Sequence, residues 1–519
     1  MVLTTAFACG DDEDDGGTAG RGGGGGRGGT AGSGGTAGNA GTAGSDAGPD
    51  GDSGTPAQWA AGRKGEPLSP TNDDRLWIPV WDSNTTFYVV GYEDIGNTGD
   101  KQIAIAKYNT SGQRDATFDI KRHNHSTFAG LPDNPSTPAT DPTPSVEQAR
   151  DAVIQNGKLV VLASAENPTT PANHEIVVLR LDNTGALDTS FGPANTGKIV
   201  IDLGDSPNDA PWSLDVDSQG RLLVFASGRT SRTAPVAGDA GADAGAGPRL
   251  TDSDRYVIRL TEDGDYDTSF GGGDGIFTVD TPGSGTNTLG LNDNQRHGFV
   301  FGNCGGDAGA GCSIVSSGYT QVGGRNQIVL FKLNGDGTPD TSFSNDGIVR
   351  FGPPSGMAEA YGVARQQDGS LVTIGYGQLD QETQSANLDA ISYRITPAGA
   401  VDATWGTGGV VSYDIAQAED RGRYVLALPD DRIVLIGAGT ATPGNKDAML
   451  VLLSKDGQPA TYFGPEGRQL FSYDKANEEF YGAALSPDGK FIAAVGYAAE
   501  PGTGVTNGNS TVLVQPVGE

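Results

Sequence analysis

Polar and apolar residues alternate along this chain in short runs that recur as a unit. In one unit Trp212-Ser-Leu-Asp-Val216 alternates, Asp217 to Gly220 makes a turn, Arg221 to Ala226 is an apolar run, and Tyr256 to Leu260 alternates again. A glycine turn at Gly264, then Asp267-Thr-Ser-Phe270, a glycine cluster and Ile276-Phe-Thr-Val279 complete it. The runs are four to seven residues long, rich in β-branched and aromatic residues and bounded by Gly, Asp or Pro, which predicts short antiparallel strands. Four strands to a unit, repeated along the chain, predict an all-β repeat architecture.

Turns between the first and second strands set the number of units. They fall at Asp82-Ser-Asn84, Gln155-Asn-Gly157, Ser218-Gln-Gly220, Gln367-Asp-Gly369, Pro429-Asp-Asp431 and Pro487-Asp-Gly489, with a degenerate one between Phe299 and Ser313. Seven such turns predict a seven-bladed β-propeller of four-stranded antiparallel blades over residues 57–519. The seventh unit runs out after its third strand, Ser510 to Val517, so a strand lent by residues 57–75, with Trp59 and Leu68, is expected to cover its edge.

Six turns join a glycine to an aromatic six residues on: Gly112 to Phe118, Gly185 to Phe191, Gly264 to Phe270, Gly337 to Phe343, Gly399 to Trp405 and Gly457 to Phe463. One apolar residue per unit at a fixed place is what packing between blades requires, so these aromatics read as core and not as a sugar-stacking platform. Five residues before the glycine stands a base (Lys107, Arg180, Arg259, Lys332, Arg394) and three after it an acid (Asp115, Asp188, Asp267, Asp340, Asp402). In the sixth unit both are apolar, Leu452 and Ala460. Losing one partner of a sheltered pair is costly and losing both nearly neutral, so the joint loss predicts structural base–acid pairs, unless unit six is simply degenerate.

Leu187-Asp-Thr-Ser-Phe-Gly192, Tyr266-Asp-Thr-Ser-Phe-Gly271 and Pro339-Asp-Thr-Ser-Phe343 resemble the core of the delta-60 repeat family of bacterial secreted proteins. The resemblance spans residues 76–517; unit one departs from it at Arg114-Asp-Ala-Thr-Phe-Asp119 and unit six at Pro459-Ala-Thr-Tyr-Phe-Gly464. It implies a propeller-like fold and export, and no activity. At the N-terminus, Val2-Leu-Thr-Thr-Ala-Phe-Ala-Cys9-Gly10 resembles the end of a bacterial lipoprotein signal, which implies that residues 1–9 are a signal remnant and that Cys9 is lipidated.

Of 82 glycines, many lie in residues 10–56, a Gly/Ala/Thr/Asp-rich stretch with no aromatic and no aliphatic larger than alanine. It cannot bury enough surface to offset ordering and reads as a disordered tether with a reach of roughly 35–40 Å. With Cys9 assigned to lipid, Cys304 and Cys312 remain, either as a disulfide suited to an oxidising compartment or as two buried thiols. The formal charge of −31 argues against nucleic acid, whose phosphates need a basic footprint. Membrane contact is expected only through the lipid anchor, and the localisation is the bacterial cell envelope, outer surface or medium.

The stereotyped connections lie on one face of such blades, and the variable ones (118–150, 165–173, 228–253, 280–296, 377–387, 498–509) on the other, where binding usually sits. Catalytic signatures are sparse. His123-Asn-His125 has no further ligand tied to it by spacing, His174 and His297 stand alone, and Asp263-Gly-Asp265-Tyr-Asp267 resembles a calcium loop without its later bidentate glutamate. No catalytic, cofactor or metal residue is assigned, with calcium the one cofactor kept in view. The sequence therefore predicts a monomeric, non-enzymatic surface propeller that binds an extracellular glycan or protein through the variable face. A propeller hydrolase or lyase on polysaccharide, and a structural surface protein without a specific ligand, are the alternatives.

Overall fold

The computed structural model describes residues 59–69, 71–96, 99–124, 146–167, 170–203, 209–233, 249–279, 293–305, 311–322, 325–379, 388–442, 444–473, 477–499 and 508–518. Cys9, the 10–56 tether and much of the variable connections lie outside them. Among the described residues the chain is all β, with one short 3-10 turn at Pro465–Gly467.

Asp73–Trp81, Thr86–Asp94, Lys101–Asn109 and Lys121–His123 pair in that order as a four-stranded antiparallel sheet. Four more sheets repeat the order and open with Glu147–Gln155, Ala210–Val216, Asp293–Gly302 and Met357–Arg365. Arg421–Ala427, Ile433–Thr442, Asn445–Leu453 and Arg468–Phe471 form a further set. One parallel residue pair, Lys446 with Asn477, joins that set to Asn477–Leu485, Phe491–Ala499 and Asn509–Pro516. The outer neighbour of Asn509–Pro516 is the N-terminal strand Arg63–Lys64, with Arg63 opposite Val514. Trp59 packs edge-on against Phe463 at 4.9 Å, and Leu68 is buried in a cluster with Leu76, Val512 and Val514.

Two connections are shorter than their polarity suggests. Strands Leu222–Thr233 and Arg249–Leu260 stay in register out to Thr233 and Arg249, and Lys158–Asn167 pairs with Thr170–Leu181. The stretch Arg229-Thr-Ser-Arg-Thr233 has no apolar alternation, yet threonine suits a pleated strand whether or not a face is buried.

Apolar clusters fill the spaces between neighbouring sheets; Val160, Leu162 and Phe191 of the second sheet meet Leu214, Val224 and Ile258 of the third. The six turn aromatics are buried within these layers. Their packing explains the glycine in three of the six turns, Gly264, Gly337 and Gly457. Gly264 has φ +89°, and a Cβ there would stand 2.7 Å from Phe191 of the preceding sheet; Gly457 meets Trp405 in the same way at 2.7 Å. Only a residue without a side chain lets the next turn sit on the ring.

The base and acid meet in four units: Arg180 with Asp188 at 2.7 Å, Arg259 with Asp267 at 2.8 Å, Lys332 with Asp340 at 2.8 Å and Arg394 with Asp402 at 2.7 Å. The arginines also reach the following sheet. Arg180 Nη1 donates to the Glu262 carbonyl at 2.7 Å, Arg394 Nη1 to that of Lys455 at 2.7 Å, and Arg259 Nη1 to that of Gly335. Each guanidinium also lies over its own turn aromatic, 4.6 Å from the Phe191 centroid, 4.5 Å from Phe270 and 5.1 Å from Trp405.

Unit one departs from the expected pair. Lys107 bonds Asp82 of the turn between the first two strands, at 2.5 Å, and not Asp115, whose carboxylate is held by the Thr117 backbone and hydroxyl. Lys332, also a lysine, keeps its own acid, so the departure follows from Asp82, which stands within reach of the Lys107 ammonium. In unit six, Leu452 and Ala460 are buried in an apolar cluster. Cys304 and Cys312 are bonded to each other, at the turn between Asp293–Gly302 and Cys312–Val322.

Asp267→Ala leaves Arg259, 3% exposed, without its carboxylate. The expected cost is roughly 3 kcal/mol. Arg259→Leu/Asp267→Ala, which copies unit six, is expected to cost less than the single change. Urea unfolding of the three proteins checks this, and a double variant at least as unstable as Asp267→Ala would remove the pairing argument.

Candidate functional site

Each of the seven first strands carries one register shift at an equivalent place: between Leu76 and Ile78, Ala149 and Asp151, Pro211 and Ser213, Gln295 and Gly298, Ala360 and Gly362, Gly422 and Tyr424, and Phe480 and Gly482. A bulge adds a residue and re-aims its side chain. The residues so re-aimed are Trp77, Arg150, Trp212, Arg296, Tyr361, Arg423 and Tyr481, and they close into one ring at the centre of the molecule. Arg150 Cζ lies 4.4 Å from the Trp77 centroid and 6.0 Å from Trp212. Arg296 lies 3.8 Å from Trp212 and 4.4 Å from Tyr361, and Arg423 lies 4.8 Å from Tyr361 and 5.1 Å from Tyr481. Tyr481 and Trp77 complete the circuit ring to ring at 4.4 Å.

Three residues before the bulge, six of the seven strands place an acid: Asp74, Glu147, Asp209, Asp293, Asp420 and Glu478, none more than 1% exposed. Several of them tie down the segment that leads into the strand. Asp74 accepts from the Ser69 and Ser510 amides, Asp420 from Ile415 and Thr440, Asp209 from Leu203, and Glu478 from Tyr473. Sequence reasoning missed both features. The signal was an acid, two residues, then Trp, Arg or Tyr, as in Asp74-Arg-Leu-Trp77 and Glu147-Gln-Ala-Arg150; unit five reads Ala358-Glu-Ala-Tyr361.

Beyond the ring, toward the turns between first and second strands, lies a cavity of about 410 Å³ lined by Ile78, Asp151, Asp215, His297, Tyr424 and Leu485 among others. Asp151 accepts from the Ala152 amide and, across the joint between sheets, from Leu214 at 2.8 Å. Asp215 accepts from Val216 and, in the next sheet, from Val300 at 2.7 Å. Burial pushes Asp151 up to about 7 and Asp215 up to about 6, against the N–H bonds that pull each down. His297 Nδ1 lies 3.1 Å from the Val363 carbonyl and Nε2 lies 3.1 Å from the Tyr424 hydroxyl. A carbonyl only accepts, so Nδ1 carries the proton and Nε2 accepts from the tyrosine. Burial lowers His297 to about 4 and raises Tyr424. Both shifts keep the proton on the phenol.

The residues weighed from sequence lie elsewhere. The turn aromatics and the base–acid pairs line neither the ring nor the cavity. His123 is buried in the outer strand of the first sheet, where burial lowers it to about 4, and His125 lies outside the described residues. His174 stands 4.0 Å from Glu166. Asp267 of the calcium-like loop is held by Arg259 and Ser269. Among the described residues no three of His, Cys, Asp and Glu are grouped to hold a metal ion, and no helix is long and apolar enough to cross a membrane.

A β-propeller domain of unknown function, DUF5122, matches residues 313–343, which carry the second and third strands of one sheet and the turn through Phe343. With the repeated four-stranded sheets, this identifies the fold as a β-propeller. No curated protein matches the chain in sequence. Solved structures similar in outline include a Dyadobacter fermentans protein of unknown function, 11% identical with a TM-score of 0.40, covering 89% of this chain and 100% of that one. The polysaccharide lyase Uly1 is 10% identical with a TM-score of 0.44 over 89% and 93% of the two chains. The endosialidase of phage phi92 is 7% identical with a TM-score of 0.41 over 88% and 69%. Likeness at this level says nothing of activity.

The buried acids give stability a defined pH dependence. Burial raises Asp74 to about 8 and Asp151 and Asp420 to about 7 from an ordinary 3.8, so the folded chain keeps protons that the unfolded chain releases. Their stabilisation is complete below the unfolded value and is lost as pH rises through the folded one. The buried His123 and His297 act in the opposite sense, but only below their ordinary 6.5. Between pH 6.5 and about 8.5, stability is therefore expected to fall, by up to about 1.4 kcal/mol per pH unit for each proton released. Denaturant midpoints across that range check it, and Asp74→Asn should flatten the slope.

Proposed function

We propose that the chain is a seven-bladed propeller of the delta-60 kind, its last blade completed by Arg63–Lys64. It is exported, held at a bacterial cell surface by lipid on Cys9 through the 10–56 tether, and binds an envelope or extracellular partner, glycan or protein, without catalysing a reaction. The observation that carries this reading is the commitment of the polar groups in the central cavity. Asp151 and Asp215 each accept an amide from the next sheet, and His297 and Tyr424 are bonded to each other. Groups so engaged hold blades together, and a base lowered to about 4 beside a raised phenol is a poor proton acceptor. Recognition then falls to the variable connections at the entry to the first strands, on the side of the ring away from this cavity.

One observation favours a second reading, a hydrolase or lyase on polysaccharide. Two carboxyls, an imidazole and a phenol share one cavity, and Asp151 at about 7 lies in the range of a general acid.

Purified protein, whole and lacking 125–145, is to be screened against envelope polysaccharides for binding and for chain cleavage. The first reading expects binding that weakens at least about tenfold, or roughly 1.4 kcal/mol, on deletion, with no cleavage in either protein. Cleavage that disappears in Asp151→Asn would establish the second reading. Neither binding nor cleavage would leave a structural surface protein.

A further inference from the structure

The three arginines of the central ring are held differently. Arg423 is paired with Glu479 at 2.6 Å, both buried. Arg296 donates to the Tyr361 hydroxyl at 3.0 Å. Arg150 differs: its guanidinium lies against the indole faces of Trp77 and Trp212, no carboxylate pairs with it among the described residues, and its Nη1 is buried without a protein acceptor. Beside it, the indole N–H groups of Trp77 and Trp212 are likewise buried without an acceptor, Trp77 being 8% exposed. All three belong to the walls of one void of about 70 Å³.

Arg150 is half-buried, but its Nη1 and the two indole N–H groups are buried, and each orphaned buried donor costs roughly 1–3 kcal/mol. Cation–π contact offsets part of this for Arg150, because an indole face attracts positive charge. It does nothing for the N–H groups, whose donors lie in the ring plane. A guanidinium and two indoles whose buried donors lack a protein acceptor line one small void, and an anion within reach of those donors would satisfy them. The void holds only a few water-sized groups, since one water needs about 10–15 Å³ on this measure. It shares Ile78, Asp151, His297 and Tyr424 with the 410 Å³ cavity, which gives it a route toward solvent.

We propose that the ring is a site for one small anion held by Arg150 and the indole N–H groups of Trp77 and Trp212: a free halide, or the carboxylate of an acidic ligand reaching in through the cavity. In either form the anion locks together the first three sheets, which supply Trp77, Arg150 and Trp212. The inference stands on the ring alone and does not depend on what the variable face binds.

The test measures thermal midpoints of the whole protein at constant ionic strength in chloride, bromide, acetate and glucuronate, with a large organic sulfonate as the reference anion. Chloride or bromide is expected to raise the midpoint by roughly 2 °C or more over the reference. Crystals soaked in bromide are expected to show an anomalous peak within hydrogen-bond reach of Trp77 Nε1 and Arg150 Nη1. A rise with glucuronate that exceeds those with acetate and halide assigns the site to a ligand carboxylate instead of a free ion. Arg150→Met is expected to abolish the anion-dependent shift. Should Arg150→Met fail to fold, Trp212→Phe keeps an aromatic in the ring while removing one donor, and is expected to halve the shift or more. Midpoints independent of the anion, with no bromide peak, overturn the proposal. So does an anion effect that persists unchanged in Trp212→Phe.

Discussion

Among the described residues, backbone pairing joins neighbouring sheets only at single residue pairs, such as Lys446 with Asn477, so side chains carry most of the polar contacts across the joints. Among the described residues, isolated backbone bonds also cross, such as Gly192 N to the Asp263 carbonyl and Ser344 N to that of Ala398. The remainder comes from residues whose length and charge let them reach main chain in the adjoining sheet. Arg180, Arg259 and Arg394 reach carbonyls near the outer turns; Asp151 and Asp215 reach amides near the centre; Gln155 and Gln366 bond the Gly220 and Asp431 carbonyls between. Apolar layers supply the area between sheets, but area is non-directional. These bonds are what fix the angle and the register at which one sheet meets the next.

The outer joints were legible in the sequence because their chemistry is written with the same letters each time. Where the turn packs on the neighbouring ring, as at Gly264, Gly337 and Gly457, only glycine fits, and Asp is the acid in every unit that has one, so the repeat can be seen without a structure. The exception is also instructive. Lys107 and Asp115 have the right spacing, but Asp82 stands closer to the ammonium, and spacing along one chain segment says nothing about a rival from another turn. The inner joints were not legible, although they recur as regularly. Trp, Arg and Tyr share no letter, nor do Asp and Glu, so the repeat there is one of role and place. The bulge that defines the place is a property of pairing between two strands, and a single strand's alternation does not reveal it.

Such interchangeability at the bulge follows from what the position must do. Each side chain there has to be large and to present either a flat face or a flat cation to two neighbours. Trp, Tyr and Arg meet this requirement; aliphatic residues of similar length do not, because they offer neither charge nor quadrupole. The acid three residues earlier serves a different need, holding the incoming segment by its amides. Asp and Glu both supply paired acceptor oxygens for that, with Glu478 reaching Tyr473 as Asp420 reaches Ile415.

An odd number of positions also sets the ring's composition. Arginines and aromatics can alternate without conflict only around an even circuit; with seven members, one contact must join like to like. Two adjacent guanidiniums would repel each other in a sheltered site, whereas two aromatic rings attract, so the defect falls between Tyr481 and Trp77 at 4.4 Å. Four aromatics then hold three cations. Arg75 lies over both Tyr481 and Trp77, at 5.5 and 5.7 Å, so a further cation covers the one pair of ring aromatics with no arginine between them. Of the three guanidiniums within the ring, Arg150 is the one with tryptophans on both sides, and indole is the strongest cation–π partner. That arrangement holds the guanidinium against two indole faces, while its Nη1 and both indole N–H groups stay buried without a protein acceptor.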